Sequence, residues 1–471
     1  MIETVKSEKT AGTRREFLKT SALVAAGTAL ASSLPVLPRA YAAGTDTIKA
    51  CLIGCGGRGN GAAADALAAA AAGGGSVKFV AVADAFEEKA KGAAANLNKK
   101  GKDQADIPPE RTFAGLDAFQ KAIDSGVDMI VTAAAPGFRP QHFEAAIKAG
   151  KHVFMEKPVC VDAPGYLKIM AAAKLADEKK LKVVVGFQRH HESGFQGGIQ
   201  AIADGKYGEI TMLRMYFNSS GIWNRRREAG MTEMQFQVHN WYHFCWLSGD
   251  HITEQHVHDL DVANWVMSAA LKKTGAEWAH PVKANGMGAL WHRGYGDFIR
   301  TMKGTNKGQI YDSHFVEFTY ENGVKFYSQC RHQPSCWGGE GQIFHSTTSP
   351  EGKPNIAGCA VSGAGPGPKL PLGGGQQEHL DLQNAIRQDK PLNAAYYGAA
   401  SSMTGVLGRM ATYSGQEVKW DDAVKYGPDS FPKNLSWDAD PPVMPDKDGN
   451  YPIPVPGIFV PYEVPGKPRK K

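Results

Sequence analysis

Residues 48–59 read IKACLIGCGGRG, and this stretch decides the fold of the chain. Its first half, Ile48 to Ile53, is a short apolar run that is typical of a buried parallel strand. The run leads directly into the pattern G-x-G-x-x-G, and the alanine-rich segment that follows has a high helix propensity. This order predicts that backbone N–H groups at a helix N-terminus bind the pyrophosphate of a dinucleotide.

An acidic residue follows the next predicted strand, Val77 to Ala83. Asp84 stands where a carboxylate would accept hydrogen bonds from the ribose of the adenosine. It would also repel a 2′-phosphate, and residues 85–87 contain no arginine that could neutralise one. The sequence therefore predicts NAD rather than NADP, with Lys89 and Lys91 as the nearby cations that could weaken this preference.

Strands and helices alternate between residues 43 and 186, which predicts a parallel sheet with ligands at the carboxyl ends of its strands. The strand His152–Met155 ends in Glu156-Lys157-Pro158, so Lys157 lies at this edge, and Pro158 restricts its backbone. A simple surface charge is the alternative interpretation of Lys157. The predicted cofactor-binding residues of this Rossmann domain are Gly54, Gly56, Gly57, Arg58, Gly59, Asp84, Glu156 and Lys157.

The pattern changes after residue 186. Residues Glu209 to Asn218 alternate between apolar and polar, and so do parts of Ser313 to Gln329. Asn322-Gly323 divides the second run, and Asn-Gly between alternating strands is a hairpin signal. Residues 187–425 are therefore predicted to form an α+β domain with a mostly antiparallel, open sheet.

The richest group of polar side chains lies between residues 239 and 261. If the predicted helix at Asp261 begins one or two turns early, Glu254, His258 and Asp261 share one of its faces. A histidine beside a carboxylate one turn away suits a general base that is held in one tautomer. A purely structural, polar helix start is the alternative.

Two histidine pairs in this group, His239 with His243 and His256 with His258, could bind a metal. Neither pair belongs to a convincing ligand pattern, so no metal is predicted. Five further side chains in or near the group are candidates for substrate binding. They are Arg189, His190, Tyr242, Glu254 and His256.

Together these residues resemble the Gfo/Idh/MocA family of oxidoreductases. Residues 149–158 read AGKHVFMEKP, which matches the family signature A-G-K-H-V-x-x-E-K-P almost letter for letter. The glycine loop and His258-x-x-Asp261 add to the resemblance, which extends from about Ile48 to about Trp420. It implies a Rossmann domain followed by a domain whose open sheet carries the substrate site and often an oligomer interface, so a homo-oligomer is expected.

The resemblance also implies roles for individual residues. Lys157 would contact the substrate and the nicotinamide, His258 would be the acid/base, and Asp261 would lie beside it. Sugars or cyclitols would be the substrates. The sequence departs from the commoner family form at His256, where many members have glycine, and at Glu254, where many have aspartate.

The reaction predicted on this basis is NAD(P)-dependent oxidation of a secondary alcohol of a sugar, glycoside or cyclitol. An alternative makes the oxidation transient. A ketone acidifies the neighbouring C–H bond, so a substituent is eliminated, water is added and the hydride returns. That cycle would be an NAD-dependent glycosidase or lyase. A non-catalytic sugar-binding protein is a third possibility, which Lys157 and His258 argue against.

Residues 1–42 are predicted to be an export signal. Thr13 to Lys19 reads TRREFLK, a twin-arginine pattern, and an apolar region follows from Ser21 to Leu37. Residues 40–42 read AYA and offer a cleavage site, so the mature chain would begin at Ala43. The protein would then be exported to the periplasm by the twin-arginine machinery. An uncleaved signal that anchors the protein to the membrane is the alternative.

The net charge of +6 does not indicate a nucleic-acid surface. Residues 1–42 and the basic end, Lys467 to Lys471, together account for more than this excess, so the rest of the chain is close to neutral. Residues 426–471 are rich in proline and show little periodicity. This segment is predicted to be either an extended strap over the surface or a flexible tail.

Overall fold

The computed structural model describes residues 47–73, 75–290 and 308–465. The predicted export signal and its cleavage site lie outside the described residues, as does the basic end of the chain. Within these ranges, no helix has both the length and the apolar character needed to cross a membrane.

The first sheet has six strands, and every pair of neighbours in it is parallel. The strands are β1 Thr47–Ile53, β2 Ser76–Asp84, β3 Thr112–Ala114, β4 Met129–Thr132, β5 His152–Met155 and β6 Val183–Val185. Their order is β3-β2-β1-β4-β5-β6. The order reverses between β1 and β4, which is where an open parallel sheet of this kind binds its ligand.

Five helices cover the two faces of this sheet, and they bury mainly alanine and branched apolar side chains. The helices are α1 Gly57–Gly73, α2 Glu87–Asn98, α3 Ala118–Ile123, α4 Arg139–Lys148 and α5 Ala163–Glu178. Helix α1 begins inside the glycine loop, so its first free N–H groups face the end of β1. The predicted Rossmann domain is confirmed.

The second sheet has seven strands in the order β12-β11-β7-β10-β9-β8-β13. The strands are β7 Ile210–Ser219, β8 Lys283–Ala289, β9 Ser313–Thr319, β10 Lys325–His332, β11 Gly339–Ser346, β12 Asn355–Ala360 and β13 Val418–Lys419. Only β7 and β10 pair in parallel, so the prediction of a mostly antiparallel sheet is confirmed. The predicted hairpin joins β9 to β10, and Gly323 adopts a φ of +86° in its turn.

The helices of this second domain pack against one face of the sheet and around the crevice. They are α6 Ser193–Ala203, α7 Glu233–His239, α8 Cys245–Ser248, α9 His251–Glu254, α10 Val257–Leu271, α11 Gly374–Gln388, α12 Ala395–Ser414 and α13 Trp420–Tyr426. Short 3₁₀ turns occur at Pro109–Arg111, Pro136–Phe138, Gln188–His191, Trp241–His243, Gly275–Glu277 and Val361–Gly363.

The prediction that one early-starting helix carries Glu254, His258 and Asp261 was wrong. Glu254 ends α9, and α10 begins only at Val257, so Glu254 does not share a helix face with His258 and Asp261. The backbone turns at this point because the N–H groups of both Gln255 and His256 bond the His251 carbonyl. His258 therefore lies in the first turn of α10.

Helix α11 returns to the first domain although it lies far along the chain. Gln383 Nε2 donates to the Ala66 carbonyl of α1 at 2.8 Å, and Arg387 Nη2 donates to the Ser76 carbonyl of β2 at 2.7 Å. The segment after α11 also forms a bridge to the end of the first sheet, between Val183 and Asn393. The two domains are thus connected by more than the segment after β6.

Residues 427–465, which we call the strap, contain no helix or strand. Three side chains of the strap pack beside the crevice, because Phe431, Trp437 and Tyr451 belong to one apolar cluster with Phe138 and Phe86. The Trp437 carbonyl accepts from Thr232 Oγ1 at 2.7 Å, the Val443 carbonyl from Gln237 Nε2 at 2.6 Å, and Tyr451 donates to Glu233 at 2.5 Å. The strap is therefore an extended covering, as one of the two predictions stated.

Candidate functional site

The glycine loop is closely packed on one side and open on the other. A Cβ on Gly54 would lie 2.3 Å from the Ala134 nitrogen, and a Cβ on Gly59 would lie 1.8 Å from the Gly54 carbonyl oxygen. Gly54 also adopts a φ of +89°, which favours glycine. At Gly56 and Gly57 an added Cβ would meet nothing within 4 Å. These two positions leave the room that a pyrophosphate needs.

A cavity of about 340 Å³ extends from the loop along the carboxyl ends of β1, β2 and β4. Its floor and far end come from the first domain, and its roof comes from the second. The roof residues are Trp223, Arg225, Val238 and Trp241. The cavity is partly enclosed, and the predicted loop residues Gly54, Gly56, Gly57, Arg58 and Gly59 all line it.

Asp84 lies in the same cavity, and two backbone groups hold its carboxylate. Oδ2 accepts from the Cys55 N–H at 2.7 Å, and Oδ1 accepts from the Phe86 N–H at 2.9 Å. Each carboxylate oxygen has further lone pairs. The side chain is therefore fixed at the end of β2 and can still accept hydrogen bonds from a ribose diol.

Arg58 and Glu156 form an ion pair at the pyrophosphate end of the crevice. Arg58 Nε lies 2.9 Å from Glu156 Oε1, and Arg58 Nη2 lies 2.7 Å from Asp65 Oδ2. Glu156 is buried beneath Gly186, where a Cβ would approach its Oε2 to 2.7 Å. Glu156 thus positions Arg58, whose direct contact with a phosphate remains a prediction.

Lys157 reaches across the crevice to the second domain. Its Nζ donates to the Glu254 carbonyl at 3.0 Å and lies 3.5 Å from Glu254 Oε1. The Lys157–Pro158 peptide bond is cis. The buried Arg139, which sequence reasoning missed, donates to the Pro158 carbonyl and, at 2.8 Å, to the Ala134 carbonyl. Lys157 is therefore a partly buried amine that connects the two domains.

His258 faces the same region from the first turn of α10. Burial, and then the nearby positive charges of Lys157 and Arg189, hold its pKa well below the ordinary range. The Phe187 ring meets the imidazole edge to face at 5.8 Å between centroids. Nδ1 of His258 has no hydrogen-bond partner among the described residues. At neutral pH this is an uncharged imidazole, the form that can accept a proton.

The sequence predicted that Asp261 holds His258, but in the structure Asp261 bonds other partners. Its Oδ2 lies 2.7 Å from His190 Nε2, and its Oδ1 accepts from Ser401 at 2.9 Å. The His190 ring is stacked between Trp265 and Tyr397, at 3.9 and 4.2 Å between centroids. The carboxylate is drawn to these partners because they lie on its own side of α10. Asp261 and His190 thus form a buried pair under the site.

Asp259 is the carboxylate that the sequence analysis overlooked. It is fully buried, and it accepts from Arg189 Nη1 at 2.8 Å and from Gln342 at 2.6 Å. Its other oxygen lies 3.1 Å from His256 Nδ1, and His256 Nε2 bonds Ser328 at 2.7 Å. The spacing of three residues between His256 and Asp259 was the available signal. His256 and Arg189 are thereby held by protein partners.

Tyr242 is buried in an aromatic group rather than in the cavity wall. Its ring stacks on His332 at 5.8 Å and lies 6.1 Å from Trp223. Of the five predicted substrate residues, Glu254 is therefore the one that directly contacts Lys157. The substrate roles of Arg189, His190, Tyr242 and His256 remain predictions.

Neither predicted histidine pair forms a metal-ligand cluster in the part of the chain that the structure describes. The cluster that does meet such geometry is Asp250, His251 and His314, whose ligand atoms lie within 4.8 Å of one another. Both oxygens of Asp250 already have protein donors, which are Tyr413 Oη at 2.5 Å, the Tyr311 N–H at 3.0 Å and His251. The cluster is thus part of a buried hydrogen-bonded network.

The glycine loop, the fixed carboxylate at the end of β2 and the reversal of strand order together define a dinucleotide-binding domain, which is followed by a second, α+β domain. Residues 48–187 match the model of the Gfo/Idh/MocA family, described as an oxidoreductase family with an NAD-binding Rossmann fold. This part of the chain is therefore similar to the NAD-binding domain of that oxidoreductase family. The match ends close to the end of the first sheet, so it does not include His258.

Related sequences are similar over less than half of the chain. An inositol 2-dehydrogenase of Rhizobium meliloti is 32% identical over 136 residues, which are 29% of this chain and 36% of that protein. An inositol 2-dehydrogenase/D-chiro-inositol 3-dehydrogenase of Halalkalibacterium halodurans is 30% identical over 190 residues, or 40% and 45% of the two chains. The similarity thus spans less than half the length of either relative.

Solved structures resemble the chain over both domains. The scyllo-inositol dehydrogenase of Lactobacillus casei, solved with NAD(H) and scyllo-inositol, has a TM-score of 0.55 at 17% identity and covers 80% of this chain and all of its own. The aldose-aldose oxidoreductase of Caulobacter crescentus has a TM-score of 0.56 at 15% identity, covering 79% and 100%. At these identities the likeness establishes the two-domain fold alone.

Proposed function

We propose that this protein is an NAD-dependent oxidoreductase that acts on a secondary alcohol of a sugar, glycoside or cyclitol. The observation that carries the proposal is the position of Lys157 at the end of β5, where its Nζ donates to the Glu254 carbonyl of the second domain at 3.0 Å. The charge of Lys157 also lowers the pKa of His258, which lies in the first turn of α10. The names of the related inositol dehydrogenases support the substrate class.

The residues of the chain divide the chemistry between them. Bound nicotinamide supplies a hydride acceptor. His258, which is neutral at pH 7, accepts the proton of the substrate hydroxyl. The Lys157 ammonium, aligned by the Glu254 carbonyl, donates a hydrogen bond to the same oxygen and stabilises its developing negative charge. The glycine loop holds the pyrophosphate, for which the open side of Gly56 and Gly57 leaves room, and Asp84 holds the adenosine ribose.

We also propose that the dinucleotide stays bound between turnovers and leaves the cytoplasm with the folded protein. The twin-arginine pattern in residues 13–19 supports export of a folded chain, and an exported enzyme has no free pool of nicotinamide cofactor. The packing of the strap supports slow release, because Trp437 lies against Phe86 at the adenosine end and Phe431 lies against Phe138. A dinucleotide that is covered in this way has to be returned to its starting oxidation state while it is still bound to the protein.

The same covering favours a second candidate, in which the hydride returns to the molecule it came from. Such a cycle oxidises one carbon transiently, eliminates a substituent, adds water and reduces the ketone again. It would be an NAD-dependent glycosidase or lyase with no net redox change. A second substrate that takes up the hydride in a ping-pong cycle would meet the same requirement, and so both cycles run without added NAD.

The proposed function is tested with the exported, full-length protein. The protein is denatured and the released dinucleotide is quantified, and intact protein is then assayed with glycosides and free sugars, without added NAD. We expect nearly one dinucleotide per chain and turnover without external cofactor. A protein without bound dinucleotide that works only in abundant NAD would refute the trapped cofactor, and a protein inactive on the whole panel would count against the oxidoreductase proposal.

A homo-oligomer is proposed from the outer face of the second sheet. Large apolar side chains remain exposed there, with Met287 72% and Ile356 81% accessible and Phe315 beside Tyr327. Exposed apolar side chains on one open face of a sheet are typical of a protein interface. Light scattering of the purified protein would show a dimer or larger assembly, and a monomer at micromolar concentration would contradict this proposal.

A further inference from the structure

We propose that Lys89 and Arg225 form a phosphate subsite beside Asp84, so that the protein binds NADP as well as NAD. This inference rests on the proposed dinucleotide function and names the part of the cavity that would hold a 2′-phosphate. It departs from the expectation drawn from residues 85–87, which contain no arginine. The second domain supplies the arginine instead, at position 225.

Lys89 lies on α2, one turn beyond the end of β2. Its side chain is half-buried, lines the cavity together with Asp84, and places Nζ 4.4 Å from the centre of the Phe86 ring. Lys91, the other lysine considered from sequence, instead pairs with Glu87 at 2.6 Å on the exposed face of the same helix. The helix therefore presents one of its two nearby lysines to the cavity.

Arg225 enters the same cavity from the roof. Its guanidinium stacks on the Trp223 ring at 4.0 Å, Nη1 donates to the His239 carbonyl at 2.5 Å, and its backbone N–H bonds Asn240 at 3.0 Å. These contacts fix the position of the side chain and leave further N–H donors of the guanidinium unused. Arginine presents such donors in a fork that matches two phosphate oxygens.

Two cations meet in this part of the cavity without a salt bridge to either of them. Asp84 is the carboxylate that lines the cavity beside Lys89 and Arg225, the charge of Glu88 also acts on Lys89, and neither cation forms a salt bridge with a carboxylate in the described ranges. Asp84 already accepts from two backbone N–H groups, which reduces its repulsion of an anion. Burial lowers the pKa of both Lys89 and Arg225, and the positive charge of Arg225 adds to the effect on Lys89. A phosphate dianion would attract both cations and so offset the repulsion between Lys89 and Arg225.

The position fits the 2′-phosphate of NADP in particular. The acidic residue at the end of β2 marks the ribose of the adenosine, and a cation beside it is how a Rossmann domain accommodates a 2′-phosphate. Free inorganic phosphate offers the same charge without the adenosine. The Phe86 and Trp241 rings, which line the same cavity, provide apolar surface for an adenine and favour the whole dinucleotide.

The test is a competition on the full-length protein. Wild-type protein is equilibrated with equal concentrations of NAD and NADP until the bound ratio is constant, freed of unbound dinucleotide and denatured, and the released dinucleotides are quantified. We expect at least one NADP for every ten NAD. Arg225→Gln and Lys89→Gln should each lower this ratio about tenfold or more, as for loss of a charged phosphate contact. Lys91→Gln, on the same helix, should leave the ratio unchanged.

A wild-type ratio below one in ten would overturn the proposal, and so would a ratio that neither Arg225→Gln nor Lys89→Gln changes. A second measurement covers the possibility that Arg225→Gln disturbs the roof, because total occupancy by NAD reports the integrity of the cavity. Full occupancy by NAD alone would reject the phosphate subsite and leave the proposed function intact. Occupancy by neither dinucleotide would reject the proposed function itself. Inorganic phosphate at the same concentration should not displace either dinucleotide.

Discussion

The two walls of the dinucleotide crevice are built in opposite ways. The first wall is continuous in sequence, since Gly54 to Gly59 and the end of β2 present backbone N–H groups and one carboxylate. The second wall is assembled from distant segments, since the roof with Arg225 and the strap with Trp437 are brought together only by tertiary packing. A short motif thus suffices for binding a phosphate, whereas enclosing the ligand and completing the chemistry require the whole chain.

If the second domain supplies the general base while the first wall binds the dinucleotide, His258→Ala should have the largest effect. We expect kcat to fall by on the order of 10²–10⁴, as for loss of a positioned general base, while the amount of bound NAD changes little. The measurements are turnover on the best substrate of the panel and dinucleotide released on denaturation. His280→Ala is the control, since His280 also belongs to the second domain but stacks on Trp420. Near-normal turnover of His258→Ala would exclude His258 as the base.

A substitution in the strap tests retention of the dinucleotide separately from the chemical step. Trp437→Ala removes a ring that packs 5.5 Å from Phe86, so bound dinucleotide should dissociate about tenfold faster or more, which corresponds to about 1.4 kcal/mol or more. Release is followed after dilution into a dinucleotide scavenger, and turnover with excess NAD should remain near that of the wild type. Trp337→Ala is the matched control, because Trp337 lies exposed in the segment between β10 and β11. Equal release rates for the two variants would mean that the strap does not retain the cofactor.

On the first wall, Asp84→Asn keeps the shape of the side chain and removes its charge. We expect NAD affinity to fall about tenfold, because hydrogen bonds to a charged acceptor are stronger than those to a neutral one. At saturating NAD, kcat should be unchanged, since Asp84 lies at the adenosine end. Asp106→Asn, a surface carboxylate paired with Lys78, is the control for isothermal titration. A fall in kcat at saturation would contradict the division between the two walls.

The smallest effect concerns pH. Burial and the charges of Lys157 and Arg189 lower the pKa of His258, so the neutral, proton-accepting form persists below the ordinary value of about 6.5. Between pH 7.5 and pH 6, kcat/KM should therefore change less than twofold, where an unperturbed histidine would cause about a fourfold loss. NAD affinity should stay constant over this range. An acid limb centred near pH 6.5 would contradict the buried, neutral imidazole.

The first wall could be predicted from the sequence because its structure depends on residues that are close together in the chain. The run into Gly54 and the acid at Asp84 predicted β1, the loop and β2, since strand, turn and helix propensities agree at these positions. Strands β11 and β12 were missed because GEGQIFHS and NIAGCA are poor in β-branched residues. They are strands because β7 provides an edge for β11, and β11 provides one for β12.

The site residues that were missed depend on partners outside their own segment of sequence pattern. Arg225 lies in a stretch without helix or strand, and its position depends on contacts with Trp223, His239 and Asn240 that no sequence pattern predicts. The carboxylate of Asp261 was assigned to the nearest histidine in sequence, but His190, 71 residues away, competes successfully for it. Spacing predicted which residue types meet at the site, and packing decided which of them are paired.

The strap has a consequence for the order of events during synthesis. Residues 427–465 leave the ribosome after everything that they cover, so the glycine loop, Asp84 and the roof can fold while the crevice is still uncovered. A dinucleotide that enters at that stage is enclosed when Phe431, Trp437 and Tyr451 reach their places in the apolar cluster. If the proposed function holds, the strap is the closing step of cofactor loading, because it is made after the segments that form the crevice.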